Sequence, residues 1–562
     1  MVQMVIRGGT VIDGSGAPGR IADVAVDDGR IVAVGAKLPA GEREVDARGL
    51  LVTPGFVDIH THYDGQAVWD SHLTPSCWHG VTTAVFGNCG VGFAPVRPGS
   101  TDFLINLMEG VEDIPGTVLA EGLDFHWESF PQYLDALAAR PHTMDIGAQV
   151  PHAALRFYVM GERGADHAQR PDAAECAEMG RLLEEALRAG ALGFTTSRTT
   201  KHRARDGRAT PSLSATEPEL MALAQAMRRA GRGVLEVNSD FGPGEFEVVR
   251  AAAEIAGRPL SLLLIQVDKS PDLWRTTLDQ IHAARAAGVD ASAQVGCRPI
   301  GVLMGLETSL HPFVEHPAWR ALSSLSPEAR YRRLCEDAGL RRELVEFRPH
   351  DAATRRMAGM LQRTFEVGDA PQDETEMSSS IAARAAAAGV SPWALALELM
   401  MADGGRGLLL HPFENYTGGD LEVVRQMLQD DATVMGVGDG GAHVATICDA
   451  SSPTFLLMHW ARDRRRGPQL PIEFVVRKQT RDSALAYGLT DRGLIAPGMK
   501  ADINVIDFDA LSLLKPELVY DLPAGGKRLI QRARGYRHTF VSGVETLCND
   551  ELTGALPGRV LR

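Results

Sequence analysis

Over the first fifty positions apolar and polar residues alternate in short runs. Val5-Ile6-Arg7-Gly8-Gly9-Thr10-Val11-Ile12-Asp13 reads as one strand, and the segment from Asp23 to Gly35 as two more, turned at Asp28-Gly29. From residue 55 the rhythm changes to compact apolar runs separated by longer stretches of helical periodicity. Eight runs predict strands, at 55–60, 82–88, 144–150, 191–197, 233–239, 261–267, 290–295 and 433–438. Helices are predicted over 172–189, 216–231, 245–256, 274–287 and 420–430. Eight strand–helix units predict an α/β fold, a parallel (β/α)8 TIM barrel with its chemistry at the C-terminal ends of the strands.

One interval breaks this rhythm. Residues 301–410 are too many for a connecting loop, so an inserted, mostly helical subdomain is expected there. Its helices are predicted from Pro327-Glu328 onward and from Ser379 to Ala388, and its place in the chain makes it a lid or a specificity element. After residue 490 strands return, from Gly493 to Asp507 and from Val541 to Glu545. The expected division is a small β domain from 1–54 and 490–562, a barrel from 55–300 and 411–489, and the insertion at 301–410.

Composition narrows the function. The chain has 562 residues, 44% hydrophobic and 23% charged, as in an ordinary globular protein. A net charge of -15 argues against nucleic acid or anionic membranes as partners and fits an enzyme of small molecules. A homo-oligomer is compatible with the composition. No run of 18 apolar residues occurs, so no membrane-spanning helix is expected. Met1-Val2-Gln3-Met4-Val5-Ile6-Arg7 lacks the regions of a signal peptide. The seven cysteines, Cys77, Cys89, Cys176, Cys297, Cys335, Cys448 and Cys548, are scattered without a CxxC pair. A reducing, cytoplasmic location follows as the simpler expectation.

The candidate chemistry starts at Pro54-Gly55-Phe56-Val57-Asp58-Ile59-His60-Thr61-His62. Histidines at i and i+2 on a strand share a face, so at a barrel mouth both imidazoles can meet one zinc ion. The plain alternative is two polar residues at a strand end. Cys89, in Gly87-Asn88-Cys89-Gly90 after the second strand, is a candidate thiolate ligand; a small buried residue in a turn is its plain alternative. Asp439 ends the eighth strand, which neighbours the first in a closed barrel. There it could ligate the metal and act as general base, although Asp-Gly is also a common turn. His152, Arg198, His202 and His443 are candidate substrate-binding residues at strand ends, with Arg298 and His411 as further ones. A structural role is expected for His79.

Together these segments resemble the amidohydrolase superfamily, within it the D-aminoacylase or N-acyl-D-amino-acid deacylase group. The likeness extends through Gly8 to Gly16, Val150-Pro151-His152-Ala153-Ala154-Leu155-Arg156, and Asp491 to Asp502. It implies a β-sandwich built from both termini, His60, His62 and Cys89 as zinc ligands, and Asp439 as the catalytic carboxylate. It also implies histidines at the ends of the fifth and sixth strands, and here the chain departs. Those places read Val234-Leu235-Glu236-Val237-Asn238-Ser239-Asp240 and Leu263-Leu264-Ile265-Gln266-Val267-Asp268-Lys269. The expectation is one zinc on His60, His62, Cys89 and Asp439; the alternative brings in Asn238, Asp240, Gln266 or Asp268 as further ligands. The expected function is zinc-dependent hydrolysis of a C–N amide bond, with an N-acyl-D-amino acid as the implied substrate. An N-substituted formamide or cyclic amide is the hydrolytic alternative. A non-catalytic binding barrel and a metal-dependent decarboxylase are the alternatives from other classes.

Overall fold

The computed structural model describes residues 1–346, 355 and 359–562. Eight parallel strands form the barrel. The first three ladders join Phe56–Asp58, Val81–Phe86 and Asp145–Ala148. The third strand resumes after Gln149 as Val150–Pro151 and pairs with Gly193–Arg198. The ladder continues through Val234–Ser239, Leu260–Leu263 and Ala291–Val295 to Thr433–Met435. These strands are short and almost wholly buried because helices cover their outer faces, as parallel sheets require.

Closure of the circuit places the site. The chain leaves the eighth strand through Val437 and Asp439, both at positive φ (60° and 47°). The Asp439 amide then donates to His60 O at 2.9 Å, and the His62 amide to Gly440 O at 2.7 Å. Gly438 permits this approach, since a Cβ there would lie 2.0 Å from Asp58 Oδ2.

Local signals set the helices. Asp172 caps Ala173–Ala189 by accepting from Glu175 N, the Glu175 side chain reciprocates, and Gly190 ends the helix. The helices predicted at 216–231, 245–256, 274–287 and 420–430 are found at Glu217–Ala230, Glu245–Ala256, Leu273–Ala286 and Glu422–Gln429. The sequence reading assigned no helix between the second and third strands. The structure has Thr101–Glu112, Gly116–Gly122 and Phe130–Ala138 there.

Both chain ends build the β-sandwich domain. Its main sheet runs in the order Glu551–Leu552, Val544–Cys548, Tyr536–Val541, Ile503–Ile506, Leu51–Pro54, Met4–Val11, Arg20–Asp27 and Arg30–Gly35, with Arg43–Asp46 also on Met4–Val11. The antiparallel pairing of Ile503–Ile506 with Leu51–Pro54 joins the two ends next to the entry to the first barrel strand.

The segment 301–410 is not purely helical. Ile300–Met304 pairs antiparallel with Leu409–Glu414, and Phe365–Glu366 adds a third strand. The predicted boundary at 410 therefore falls inside a strand. Pro327–Glu336, Ala338–Val345, Ile381–Ala388 and Pro392–Gly405 pack on this stem around Trp319, Leu334, Leu344, Ile381 and Trp393. Residues 347–354 and 356–358 of the predicted insertion lie outside the described residues. Among the described residues no single helix is long and apolar enough to cross a membrane.

Candidate metal centre

Three donor atoms, from His60, His62 and Cys89, converge where the first and second strands end, and Asp439 from the end of the eighth lies beside the two histidines. Cys89 Sγ lies 3.4 Å from His60 Nε2. Asp439 Oδ1 lies 3.6 Å from His60 Nε2 and 3.7 Å from His62 Nε2. Ligand atoms of His60, His62 and Cys89 all fall within 4.8 Å of one another. A tetrahedral zinc with bonds of 2.0–2.3 Å separates its ligands by roughly 3.3–3.8 Å. The three separations fall in that window, so His60, His62 and Cys89, with Asp439 beside the two imidazoles, suit a metal ion such as zinc.

The chain bends to make this set. Cys89 sits at φ 55° in the tight turn Asn88–Gly90. The turn is entered through Gly87 at φ 83°, where a Cβ would meet Gln149 O at 2.3 Å. Glu236 Oε2, from the middle of the fifth strand, accepts the Cys89 amide at 3.2 Å.

The outward-facing nitrogen of His60 has a hydrogen-bond partner. His60 Nδ1 meets Gln294 Oε1 at 2.7 Å, and Gln294 Nε2 donates to Ser261 Oγ and Tyr487 Oη. His62 Nδ1 lies 3.3 Å from Glu112 Oε1 but makes no hydrogen bond among the described residues. The Gln294 contact fixes the tautomer that leaves His60 Nε2 free for a metal. Asp439 Oδ1 is buried and has no hydrogen-bond partner among the described residues. An oxygen so placed is costly unless a cation faces it.

Burial governs the charge states. It lowers His60 to about 4 and His62 well below the usual imidazole value. It raises the Cys89 thiol and the Asp439 carboxyl far above their usual ranges, with Asp449 and Asp58 adding to the effect at Asp439. Neutral imidazoles are ready to ligate, whereas the thiol and the carboxyl need a cation to hold them ionised.

His202 and His443 also belong to this cluster. His202 Nδ1 bonds Ser197 Oγ at 2.9 Å, and its Nε2 faces Asn238 Nδ2 at 3.5 Å. Asn238 Nδ2 also lies 3.3 Å from Cys89 Sγ. His443 Nε2 lies 3.7 Å from Glu112 Oε2.

Other candidates lie elsewhere. His152 is fully buried between Thr196 Oγ1 at 2.9 Å and Glu219 Oε1 at 3.1 Å, and Arg156 shares that carboxylate. This packing gives it a structural place rather than a face on the mouth. Arg198 is held by Glu245 and Ala215 O. Arg298 is held by Asp373 and Ser451 Oγ, both at 2.6 Å. His411 pairs with Thr364, and His79 with Thr454 Oγ1 and Gln531 O. Apart from Asn238, the alternative oxygen ligands turn away too. Asp240 accepts from Thr199 and Thr200, Asp268 from Arg363 and Thr417, and Gln266 Oε1 accepts from Thr417 N while its Nε2 donates to Pro271 O.

The sequence reading missed Gln294, Glu236 and Asp58, although each carries a signal: a polar residue in an apolar barrel strand, where half the side chains point inward. Glu112 had no such signal, because it ends a helix in an unassigned stretch.

The pattern of the Amidohydrolase family matches residues 43–546. The chain belongs to the amidohydrolase family. This amidohydrolase is 28% identical to a D-aminoacylase of Alcaligenes xylosoxydans xylosoxydans over 99% of this chain and 97% of that one. A solved D-aminoacylase, described by a binuclear metal centre with one-metal activation and second-metal attenuation, is 26% identical, with a TM-score of 0.66 over all of both chains. An N-acyl-D-glutamate deacylase of Bordetella bronchiseptica, solved with zinc and a phosphonate mimic of the tetrahedral intermediate, is 25% identical. The match covers 100% of this chain and 99% of that one, with a TM-score of 0.65. The protein is a metal-dependent hydrolase of amide bonds.

Proposed function

We propose that this amidohydrolase works with one zinc ion and removes the acyl group from N-acyl-D-amino acids. The observation that carries the one-metal reading is the single cluster of His60, His62 and Cys89 ligand atoms within 4.8 Å of one another, with Asp439 Oδ1 3.6 and 3.7 Å from the two imidazoles. Beside it, Asn238 presents an amide where a second site would need a stronger ligand. The substrate class rests on what the similar deacylases act on.

His60, His62 and Cys89 would hold the ion, with Asp439 at its open side. When bound, zinc supplies Lewis acidity to the amide carbonyl and lowers the pKa of water. Asp439 accepts the proton of the attacking water and returns it to the leaving nitrogen, so one carboxylate serves as base and then as acid. Gln294 holds the His60 imidazole in the ligating tautomer. The stem of the 301–410 insertion meets the mouth through Lys201 with Glu414, and we assign the insertion a covering role.

One observation favours a second reading, a neutral amide such as a cyclic one. Arg198, Lys201 and Arg298, three of the cations at the ends of the fourth and seventh strands, are each engaged by a protein carboxylate.

Metal analysis of the purified protein is expected to find about one zinc per chain. A panel of N-acetyl-D-amino acids, their L-enantiomers and neutral cyclic amides, read by amine release, is expected to show turnover of the D-series. Turnover confined to the cyclic amides selects the second reading. A metal-free protein, or Asp439→Asn with wild-type turnover, refutes both.

A further inference from the structure

We propose that Asn238 is a positioning residue whose amide N–H caps the sulfur of Cys89, as a hydrogen-bond donor to the metal-bound thiolate and not as a metal ligand. This rests on the one-zinc reading above. Asn238 and Glu236 stand two apart on the fifth strand, Val234–Ser239, so their side chains share one face. Both meet Cys89. The Cys89 amide donates to Glu236 Oε2 at 3.2 Å, and Asn238 Nδ2 donates to Cys89 Sγ at 3.3 Å. A carboxyl oxygen accepts from an amide whether or not the group is ionised. The fifth strand thus grips Cys89 both at its backbone and at its sulfur.

The chemistry of the sulfur fixes the amide. Cys89 Sγ faces His60 Nε2 at 3.4 Å on the metal's side, and Asn238 reaches it from a different strand. A thiolate on a metal carries lone pairs and no proton. Those left over can take a hydrogen bond or a second ion. Asn238 turns Nδ2 toward them, because Oδ1 would meet the sulfur lone pair to lone pair. The same nitrogen faces His202 Nε2 at 3.5 Å, and His202 Nδ1 bonds Ser197 Oγ at 2.9 Å. With the Nδ1–H of His202 given to Ser197, its Nε2 is an acceptor, and each amide hydrogen of Asn238 has one acceptor.

Two consequences can be measured. A hydrogen bond to a thiolate is charge-assisted and stronger than one to a thiol, so the Asn238 amide favours the metal-bound state. It also lowers the energy of the sulfur lone pairs, from which charge-transfer absorption to a transition metal starts. The N–H occupies the side of the sulfur that a second ion would need, which accounts for a fifth strand that meets the cysteine with an amide.

The test uses full-length protein loaded with zinc or cobalt(II) and needs no substrate. Asn238→Leu keeps the branched shape and removes the donor. It is expected to weaken zinc roughly 10- to 100-fold in chelator competition, the span of a hydrogen bond to a charged group. In the cobalt form the thiolate-to-metal charge-transfer band is expected to move to longer wavelength. The ligand-field bands are expected to stay in place, because the ligand set is intact. Asn238→Ser, whose hydroxyl stops short of the sulfur, is expected to move the charge-transfer band in the same direction, and it serves where the leucine variant does not fold. An unmoved charge-transfer band, or ligand-field bands altered as by loss of a ligand, overturns the proposal. A wild-type protein that binds neither ion, or a cobalt form without the charge-transfer band, refutes the one-zinc reading and this proposal with it. Wild-type affinity and an unmoved band in the variants refute the Asn238 proposal alone.

Discussion

Gln294→Leu isolates what one buried amide does for the centre. Gln294 is fully buried in the seventh strand, and its carbonyl accepts from His60 Nδ1 at 2.7 Å. With zinc on Nε2, His60 must carry its proton on Nδ1. In the metal-free protein the ring can switch tautomer and turn its proton toward Cys89 Sγ, 3.4 Å from Nε2. Leucine has a similar volume but no acceptor, so its cost falls on the metal-bound state. A buried donor left unsatisfied costs about 1–3 kcal/mol. That converts to roughly a 5- to 150-fold rise in the zinc dissociation constant. Chelator competition reads it directly. Gln294→Glu keeps an acceptor for His60 while losing the donation to Ser261 and Tyr487. Its affinity is expected to stay close to that of the wild type. Equal weakening in both variants, or none in Gln294→Leu, refutes the tautomer argument.

Asp439→Asn is expected to lower kcat by about 10²–10⁴-fold with the fold intact, read by amine release and thermal melting; a loss under tenfold argues against its acid–base role. Asn238→His places an imidazole between Cys89 Sγ and His202 Nε2, and metal analysis is expected to rise from one ion per chain towards two. An unchanged stoichiometry shows that the amide is not what limits the site. His79 is buried away from the centre and is lowered to about 4, chiefly by burial, whereas the unfolded chain titrates near 6.5. Its contribution is therefore complete above pH 6.5 and lost as pH falls towards 4, because only the unfolded chain takes up the proton. The stability advantage of the wild type over His79→Gln is expected to shrink across that window, and a constant gap refutes this.

The sequence by itself determined the barrel and the core of its centre, because both are written in local periodicity. Apolar strands ending in His60-Thr61-His62 and Asn88-Cys89-Gly90 place their donors by strand direction alone, and strand order puts Asp439 beside His60. What surrounds the donors was decided by tertiary contacts. Gln294 reaches His60 across the barrel, 234 positions away in the chain. Glu112 arrives from a helix whose place is fixed by its docking on the turn after Asp439. His152 and Arg198 sit at strand ends like true site residues, yet Glu219 and Glu245 claim them first. A strand end tells which residues can reach the mouth. Which of them stay free there depends on partners brought by distant elements, and a strand's own pattern of apolar and polar residues carries no record of those partners.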